Sequence, residues 1–140
     1  MLTEGAIAVD RFAALIAKIA DSEMKLLREL VKKTSMNLVR GRYYTAEVDY
    51  DAANVARAFL IMLLPGGSIP RHHDEFIKNV THHLVIETNR HAFNYWIDTK
   101  GKERRIHMKE GYRYRVERSP LHWVVNDGKT NRTHLLLELK

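Results

Sequence analysis

From about residue 40 to the C-terminus, short apolar runs alternate with turn residues, and this pattern constrains the fold most strongly. Tyr44, Ala46, Val48 and Tyr50 alternate with polar residues, as in a strand with one buried face. Residues 58–64 form a continuous apolar run, typical of a strand covered on both faces. Further runs cover 81–88, 92–98, 103–108, 112–116, 121–125 and 132–139. Many short strands at regular spacing predict a mainly β sandwich or barrel, and a cupin-like jelly roll is the natural candidate.

The first third of the chain has helical rather than strand periodicity. Apolar residues at i, i+3, i+4 and i+7 predict one helix that Asp10 is placed to cap, and a second that begins at a new cap, Asp21-Ser22. The two stripes comprise Phe12, Leu15, Ile16 and Ile19, then Met24, Leu27, Leu30 and Val31. We therefore expect a single domain over 1–140, with a helical N-terminal segment over 1–36 and the β core over 37–140.

The composition excludes several classes of site and protein. The 140 residues contain no cysteine, so disulfides, thiolate metal sites and cysteine nucleophiles are absent, and any metal site must use His, Asp or Glu. No apolar run approaches the roughly 18 residues that suggest a membrane span. The N-terminus lacks the basic stretch and apolar block of a signal peptide, so we expect a cytoplasmic protein.

The net charge of +6 is concentrated in one part of the chain. Between Lys100 and Arg118 there are eight Lys or Arg residues against three Glu. These cations are either the solvated faces of strands or a positive field that attracts an acidic substrate or nucleic acid.

Four polar residues have the spacing of an iron site. His72-x-Asp74 is followed by His122 forty-eight positions after Asp74, and by Arg132 ten further on. Two imidazoles and one carboxylate hold Fe(II) on one face and leave the opposite face open for small molecules. Residues two apart on a strand point to the same side, so His72 and Asp74 can bind one ion, with His122 supplied by another strand. A guanidinium beyond His122 can bind a carboxylate through two parallel hydrogen bonds.

The spacing alone leaves two alternatives open. His73-x-Glu75 satisfies the same rule one residue later, and a shift by one residue would turn the other face inward. Similarly, either His82 or His83 must point inward from the run that contains them. An inward His83 is either a satisfied core residue or a hydrogen-bonding group of a binding pocket.

Read with their neighbours, these residues resemble the aspartyl/asparaginyl β-hydroxylase family of Fe(II)- and 2-oxoglutarate-dependent oxygenases. The matching stretches are Leu64-Pro65-Gly66-Gly67-Ser68-Ile69-Pro70-Arg71-His72-His73-Asp74, His83-Leu84, Met108-Lys109-Glu110-Gly111, His122-Trp123-Val124-Val125-Asn126 and Asn131-Arg132-Thr133-His134-Leu135. They extend over about residues 58–139. The resemblance implies a double-stranded β-helix, Fe(II), and 2-oxoglutarate as co-substrate.

The resemblance also implies residue roles. It selects His72 and Asp74 over His73 and Glu75 as metal ligands and makes His122 the third. Arg132 would bind the distal carboxylate of 2-oxoglutarate, and His83 would lie in the same pocket. The Arg of the family's Arg-x-His element is Thr81 here, so that contact is either missing or supplied by another residue such as Arg90.

The implied activity is hydroxylation of a C–H bond, with an Asp- or Asn-like residue of a peptide or protein as the expected substrate. Two alternatives remain open. One is a cupin-type metalloenzyme that does not use 2-oxoglutarate. The other is a non-catalytic basic module that binds nucleic acid through residues 100–118. Bare charge would not explain the His/Asp/His/Arg set, so this alternative ranks low.

Overall fold

A computed structural model describes residues 12–73 and 80–140 of the chain. Strands dominate these residues, and they include one helix. In chain order the elements are β1 (Ala13–Lys18), α1 (Asp21–Lys33), β2 (Asn37–Val39), β3 (Tyr43–Val48), β4 (Val55–Leu63), β5 (Ser68–His72), β6 (Thr81–Glu87), β7 (Ala92–Ile97), β8 (Glu103–Ile106), β9 (Tyr112–Val116), β10 (His122–Asn126) and β11 (Arg132–Leu139). The helix found here is not long and apolar enough to cross a membrane.

The strands form two antiparallel sheets. The large sheet has seven strands in the order β1-β9-β6-β11-β4-β3-β2, and the small sheet has four in the order β5-β10-β7-β8. Neighbours in this order are mostly distant in sequence, as in a jelly roll. The predicted fold class is therefore confirmed, and β9 and β11 have the bounds that the runs 112–116 and 132–139 predicted.

The helix α1 covers the outer face of the large sheet. Met24 and Leu27 are buried, and they pack with alternate residues of the central strands, among them Leu84 and Ile86 of β6. The stripe over 24–31 was therefore predicted correctly as a helix. The predicted cap was wrong, because the helix begins at Asp21, its N-cap is Ala20, and no side chain caps it.

The helix predicted over 12–19 is wrong, because Ala13–Lys18 form β1, an edge strand that pairs with β9. Phe12 and Ile19 are buried, yet Leu15 and Ile16 are 57% and 45% exposed, so the four residues do not share one buried face. Cross-strand hydrogen bonds to β9 outweigh the local helical pattern. The β core thus begins before residue 37, and the helical segment is shorter than 1–36; Asp10 lies outside the described residues.

On the central strands of the large sheet, the residues that alternate with those packed against α1 face the small sheet and form the interior of the sandwich. Val85 of β6 belongs to a second buried cluster with Phe12, Trp96 and Tyr114. This cluster fills one end of the space between the sheets. The remaining space between them is lined by both polar and apolar side chains.

The turn that precedes β5 is fixed by Asn126 at the end of β10. Asn126 is fully buried, and its Nδ2 donates to the carbonyls of Leu63 and Thr130, both at 2.9 Å. Its backbone exchanges hydrogen bonds with Gly66 and Gly67. A Cβ atom on Gly67 would lie 2.9 Å from two carbonyl oxygens, so only glycine fits there. Asn126 thereby connects the end of β4, the turn before β5 and the segment before β11.

We expect Asn126→Ala to lower the free energy of unfolding by about 3 kcal/mol, because it removes the hydrogen bonds to the carbonyls of Leu63 and Thr130 and leaves the buried amide of Gly128 without its acceptor. Urea denaturation monitored by circular dichroism measures this change. Asn131→Ala is the matched control, since the polar contact of the Asn131 side chain within the described ranges is a long one, 3.6 Å to Met62 Sδ. Equal stability of the two variants would contradict the role assigned to Asn126.

Candidate metal and co-substrate site

A cavity of about 140 Å³ lies between the two sheets. Its wall combines apolar residues with a set of polar side chains that come from both sheets. The small sheet contributes His72, His122 and Asn94, and the large sheet contributes His83, Arg132 and His134. All but His72 are at least nine-tenths buried. Burial of polar groups costs free energy unless they have hydrogen-bond partners or ligands. This concentration of buried polar groups therefore marks the candidate functional site.

His72 and His122 lie directly opposite one another on the paired strands β5 and β10. Their ring centroids are 4.2 Å apart, with the ring planes inclined by 58°. His122 is 8% exposed, and the ring of Phe12 lies 5.4 Å from its centroid. Two imidazoles at this separation can bind one ion, and Phe12 shields one of them from water.

The hydrogen bonds of both rings define which nitrogen can bind a metal. His72 Nδ1 lies 2.7 Å from the carbonyl oxygen of Pro70, and His122 Nδ1 lies 2.6 Å from that of Pro120. A carbonyl oxygen only accepts, so each Nδ1 donates its proton and each Nε2 carries the lone pair. A backbone carbonyl that orients a histidine in this way is the usual support of a metal ligand.

The third predicted ligand, Asp74, and its competitor Glu75 lie outside the described residues. Within the described ranges, which omit both carboxylates, no group of three or more potential ligands is found. The donors that are described fit a metal, since they are two imidazoles on one cavity wall, each with its Nε2 atom directed away from the backbone carbonyl that its Nδ1 contacts. His73, the alternative to His72, is exposed, and its Nδ1 donates to the carbonyl of Ser119 at 3.3 Å.

Arg132 enters the cavity from the first residue of β11 and is 2% exposed. Its Nη2 donates to Asn94 Oδ1 at 2.9 Å, across the gap between the sheets. Burial lowers the pKa of Arg132 to about 9, and no carboxylate pairs with it among residues 12–73 and 80–140. A buried guanidinium that faces only a neutral amide is a strong binding position for an acid.

His83 and His134 form a buried pair beside Arg132. Their Nδ1 atoms are 3.0 Å apart, so one donates and the other accepts. Burial, followed by the charge of Arg132, holds the pKa of both rings well below the ordinary value. Both rings are therefore neutral at pH 7. His83 is the inward residue of its run, whereas His82 accepts a hydrogen bond from Arg113 on the other face.

This pair predicts a loss of stability in mild acid. The unfolded chain binds protons at these histidines near pH 6.5, whereas the folded chain does not, so the free energy of unfolding falls as pH drops below about 6.5. Each histidine contributes a slope of up to about 1.4 kcal/mol per pH unit. Urea denaturation between pH 8 and 5 measures it. The double variant His83→Gln/His134→Gln should have a shallower slope; an unchanged slope would contradict the assignment.

Four further cavity residues were not predicted as site residues or were assigned another role. Thr81 and Arg118 line the cavity, whereas Arg90, the suggested source of the missing cation, is exposed and contacts His91. Asn94 had a signal in the sequence, because it is the polar inward residue of the strand Ala92–Ile97. Phe12 had been assigned to a helix.

Solved structures resemble this fold along most of the chain. An oxidoreductase of the 2OG-Fe(II) oxygenase family from Burkholderia pseudomallei is 10% identical, with a TM-score of 0.76 and coverage of 98% of this chain and 88% of that chain. A prolyl-4-hydroxylase from Pseudomonas putida is 14% identical, with a TM-score of 0.67 and coverage of 96% and 98%. A cupin domain from Bordetella pertussis is 16% identical, with a TM-score of 0.53 and coverage of 74% and 99%. At these identities the likeness establishes the fold.

Sequence comparison with family models is more specific. No curated protein matches the chain. The model described as aspartyl/asparaginyl beta-hydroxylase matches residues 29–140, which include the end of the helix α1, His72, His83, His122 and Arg132. The chain therefore belongs to the aspartyl/asparaginyl β-hydroxylase family.

Proposed function

We propose that this protein is an Fe(II)- and 2-oxoglutarate-dependent dioxygenase that hydroxylates a C–H bond. The observation that carries the proposal is the pairing, in one cavity, of two facing imidazoles with a buried guanidinium that has no carboxylate partner among the described residues. A metal alone requires only the imidazoles. The guanidinium adds a place for an acid, which is what separates a 2-oxoglutarate enzyme from other metal-binding jelly rolls.

Each residue has a distinct role in this proposal. His72 and His122 hold Fe(II) through Nε2, and Asp74 completes the ligand set. Arg132 binds the distal carboxylate of 2-oxoglutarate, and Asn94 fixes the orientation of its guanidinium. His83 is held by His134 and stays neutral, so it offers a hydrogen bond in the same pocket and adds no positive charge beside the metal. Bound iron supplies the oxidising chemistry, with 2-oxoglutarate and dioxygen consumed and succinate and carbon dioxide released.

We infer that the primary substrate is an Asp- or Asn-like residue in a peptide or protein. Family membership supports this choice. The cavity is too small to enclose a folded partner, so such a substrate would present one side chain to it.

The cupin-type alternative is disfavoured by Arg132, because a metalloenzyme that needs no acid has no evident use for a buried guanidinium facing a neutral amide. The basic-module alternative is disfavoured by the distribution of the charges over 100–118. Arg104 pairs with Asp98, and Arg115 pairs with Glu117 on the other sheet. Arg104 and Arg115 thus lie on different sheets, and each is paired with a carboxylate.

Succinate release tests the proposal. Purified protein with Fe(II), 2-oxoglutarate and air should release succinate, slowly alone and faster with an Asp- or Asn-containing peptide. Protein that binds Fe(II) yet neither binds nor consumes 2-oxoglutarate would favour the cupin-type enzyme. Salt-dependent binding of nucleic acid that is insensitive to metal chelation would favour the basic module.

A further inference from the structure

Arg118 is a second cation in the same cavity. It follows β9, whose inward residues Tyr114 and Val116 are buried, and the alternation of the strand carries Arg118 to the cavity wall. Its side chain is 11% exposed. The cavity therefore holds two arginines, Arg132 and Arg118, although one acid group would need only one of them.

The structure places Arg118 next to a carboxylate that binds it weakly. Arg118 Nη1 lies 3.7 Å from Glu138 Oε2, which is beyond hydrogen-bonding distance. The contact crosses strand β6 at Thr81, because Thr81 pairs with Glu138 on one side and with Val116 on the other. Glu138 is 19% exposed, so water competes for its charge. A ligand carboxylate at hydrogen-bonding distance from Arg118 Nη1 would therefore replace a contact that Glu138 makes only at 3.7 Å.

Thr81 supplies independent evidence for a ligand-binding position. It is 1% exposed and lines the cavity, yet its Oγ1 has no hydrogen-bond partner among the residues that the structure describes. A buried hydroxyl without a partner is rare in folded proteins. Its position beneath the Arg118–Glu138 contact means that a ligand oxygen near Arg118 can also accept a hydrogen bond from this hydroxyl.

We propose that Arg118 and Thr81 form a second carboxylate-binding position in the cavity, at which Arg118 exchanges Glu138 for the acid group of a ligand. This inference rests on the proposed function in one respect, namely that the ligands of the cavity are small acids. The carboxylate comes either from the primary substrate or from the second acid group of 2-oxoglutarate, since both have the same chemistry at this position.

Calorimetric titration of the Mn(II)-loaded protein separates these sources without turnover. The first probe is 2-oxoglutarate, and the second is N-acetylaspartate added to protein saturated with 2-oxoglutarate. Arg118→Gln should weaken one of the two by about 10- to 100-fold, because it removes a charge-assisted hydrogen bond. Arg115→Gln is the matched control, since Arg115 lies on the outward face of the same strand and pairs with Glu117.

Two further variants keep the proposal testable should Arg118→Gln fail to fold. Glu138→Gln should strengthen binding of the same probe by a few fold, because it removes the competing charge. Thr81→Val should weaken binding of that probe while it raises or preserves the thermal midpoint of the ligand-free protein. Opposite changes in affinity and stability would not arise from a purely structural role.

The outcomes separate this proposal from the proposed function. Weaker 2-oxoglutarate binding in Arg118→Gln assigns the position to the co-substrate, and weaker N-acetylaspartate binding alone assigns it to the primary substrate. Affinities that match those of Arg115→Gln for both probes overturn the proposal, and the proposed function stands if Arg132→Met still loses 2-oxoglutarate. Wild-type protein that binds N-acetylaspartate through Arg118 but no 2-oxoglutarate overturns only the proposed function. Wild-type protein that binds neither acid overturns both.

Discussion

His122→Ala and His72→Ala are each expected to abolish metal-dependent succinate release. In the absence of dioxygen, wild-type protein with Fe(II) and 2-oxoglutarate should develop a weak visible charge-transfer band, and neither variant should show it. The physical reason is that each variant removes one of the three proposed protein ligands and leaves a single imidazole on this wall of the cavity, which is too few donors to hold the ion tightly. Anaerobic absorption titration with Fe(II) measures the loss directly.

His73→Ala is the matched control for this prediction. His73 adjoins His72 in sequence but is exposed, and its ring contacts the carbonyl of Ser119 rather than the cavity. We expect His73→Ala to keep the band and the turnover. A band that survives both cavity substitutions would refute the assignment of His72 and His122, and a band that is lost in His73→Ala but kept in His72→Ala would show that the metal is bound in the other register.

Arg132→Met is expected to weaken 2-oxoglutarate binding on the order of 100-fold, because removal of one partner of a buried charge pair costs about 2–5 kcal/mol. The KM for 2-oxoglutarate should rise accordingly, whereas Fe(II) affinity should stay unchanged, since Arg132 is not a ligand. Steady-state kinetics at varied 2-oxoglutarate, with Fe(II) titration in parallel, measures both effects.

The same variant should be more stable than the wild type when no ligand is bound. Burial lowers the pKa of Arg132, which means that the folded chain carries a cation that is poorly compensated. Methionine keeps much of the side-chain volume without the charge, so we expect the free energy of unfolding to rise by about 1–4 kcal/mol. Addition of 2-oxoglutarate should raise the thermal midpoint of the wild type but not that of Arg132→Met. Equal responses of the two proteins would refute the co-substrate role of Arg132.

Much of the β core was predictable because alternation within a strand is a local property. The runs over 112–116 and 132–139 coincide with β9 and β11, and the parity within 81–88 correctly made one of the two adjacent histidines inward. The choice of His83 over His82, and of His72 over His73, could not come from spacing, because both registers satisfy it. The resemblance favoured His72 and His83, and these are the two that line the cavity.

The errors lie where pairing with a distant strand decides the structure. Residues 12–19 carry a helical stripe, but β9, about a hundred residues later, pairs with Ala13–Lys18 and makes them a strand. The second cavity cation was sought at Arg90, which is nearer to Thr81 in sequence. Arg118 is the nearer one in space, because Val116 pairs with Thr81 and carries Arg118 to the same wall.

By itself, the sequence determined the mainly β architecture, the helix that carries the stripe over 24–31 and the His, Asp and Arg residues from which a site could be built, since periodicity and side-chain chemistry are local properties. Only the tertiary structure decided which of these side chains face one another. His72 and His122 meet across a strand pair, and Arg132 reaches Asn94 across the gap between sheets. Such contacts depend on register and sheet order, which are set by the packing of the whole chain.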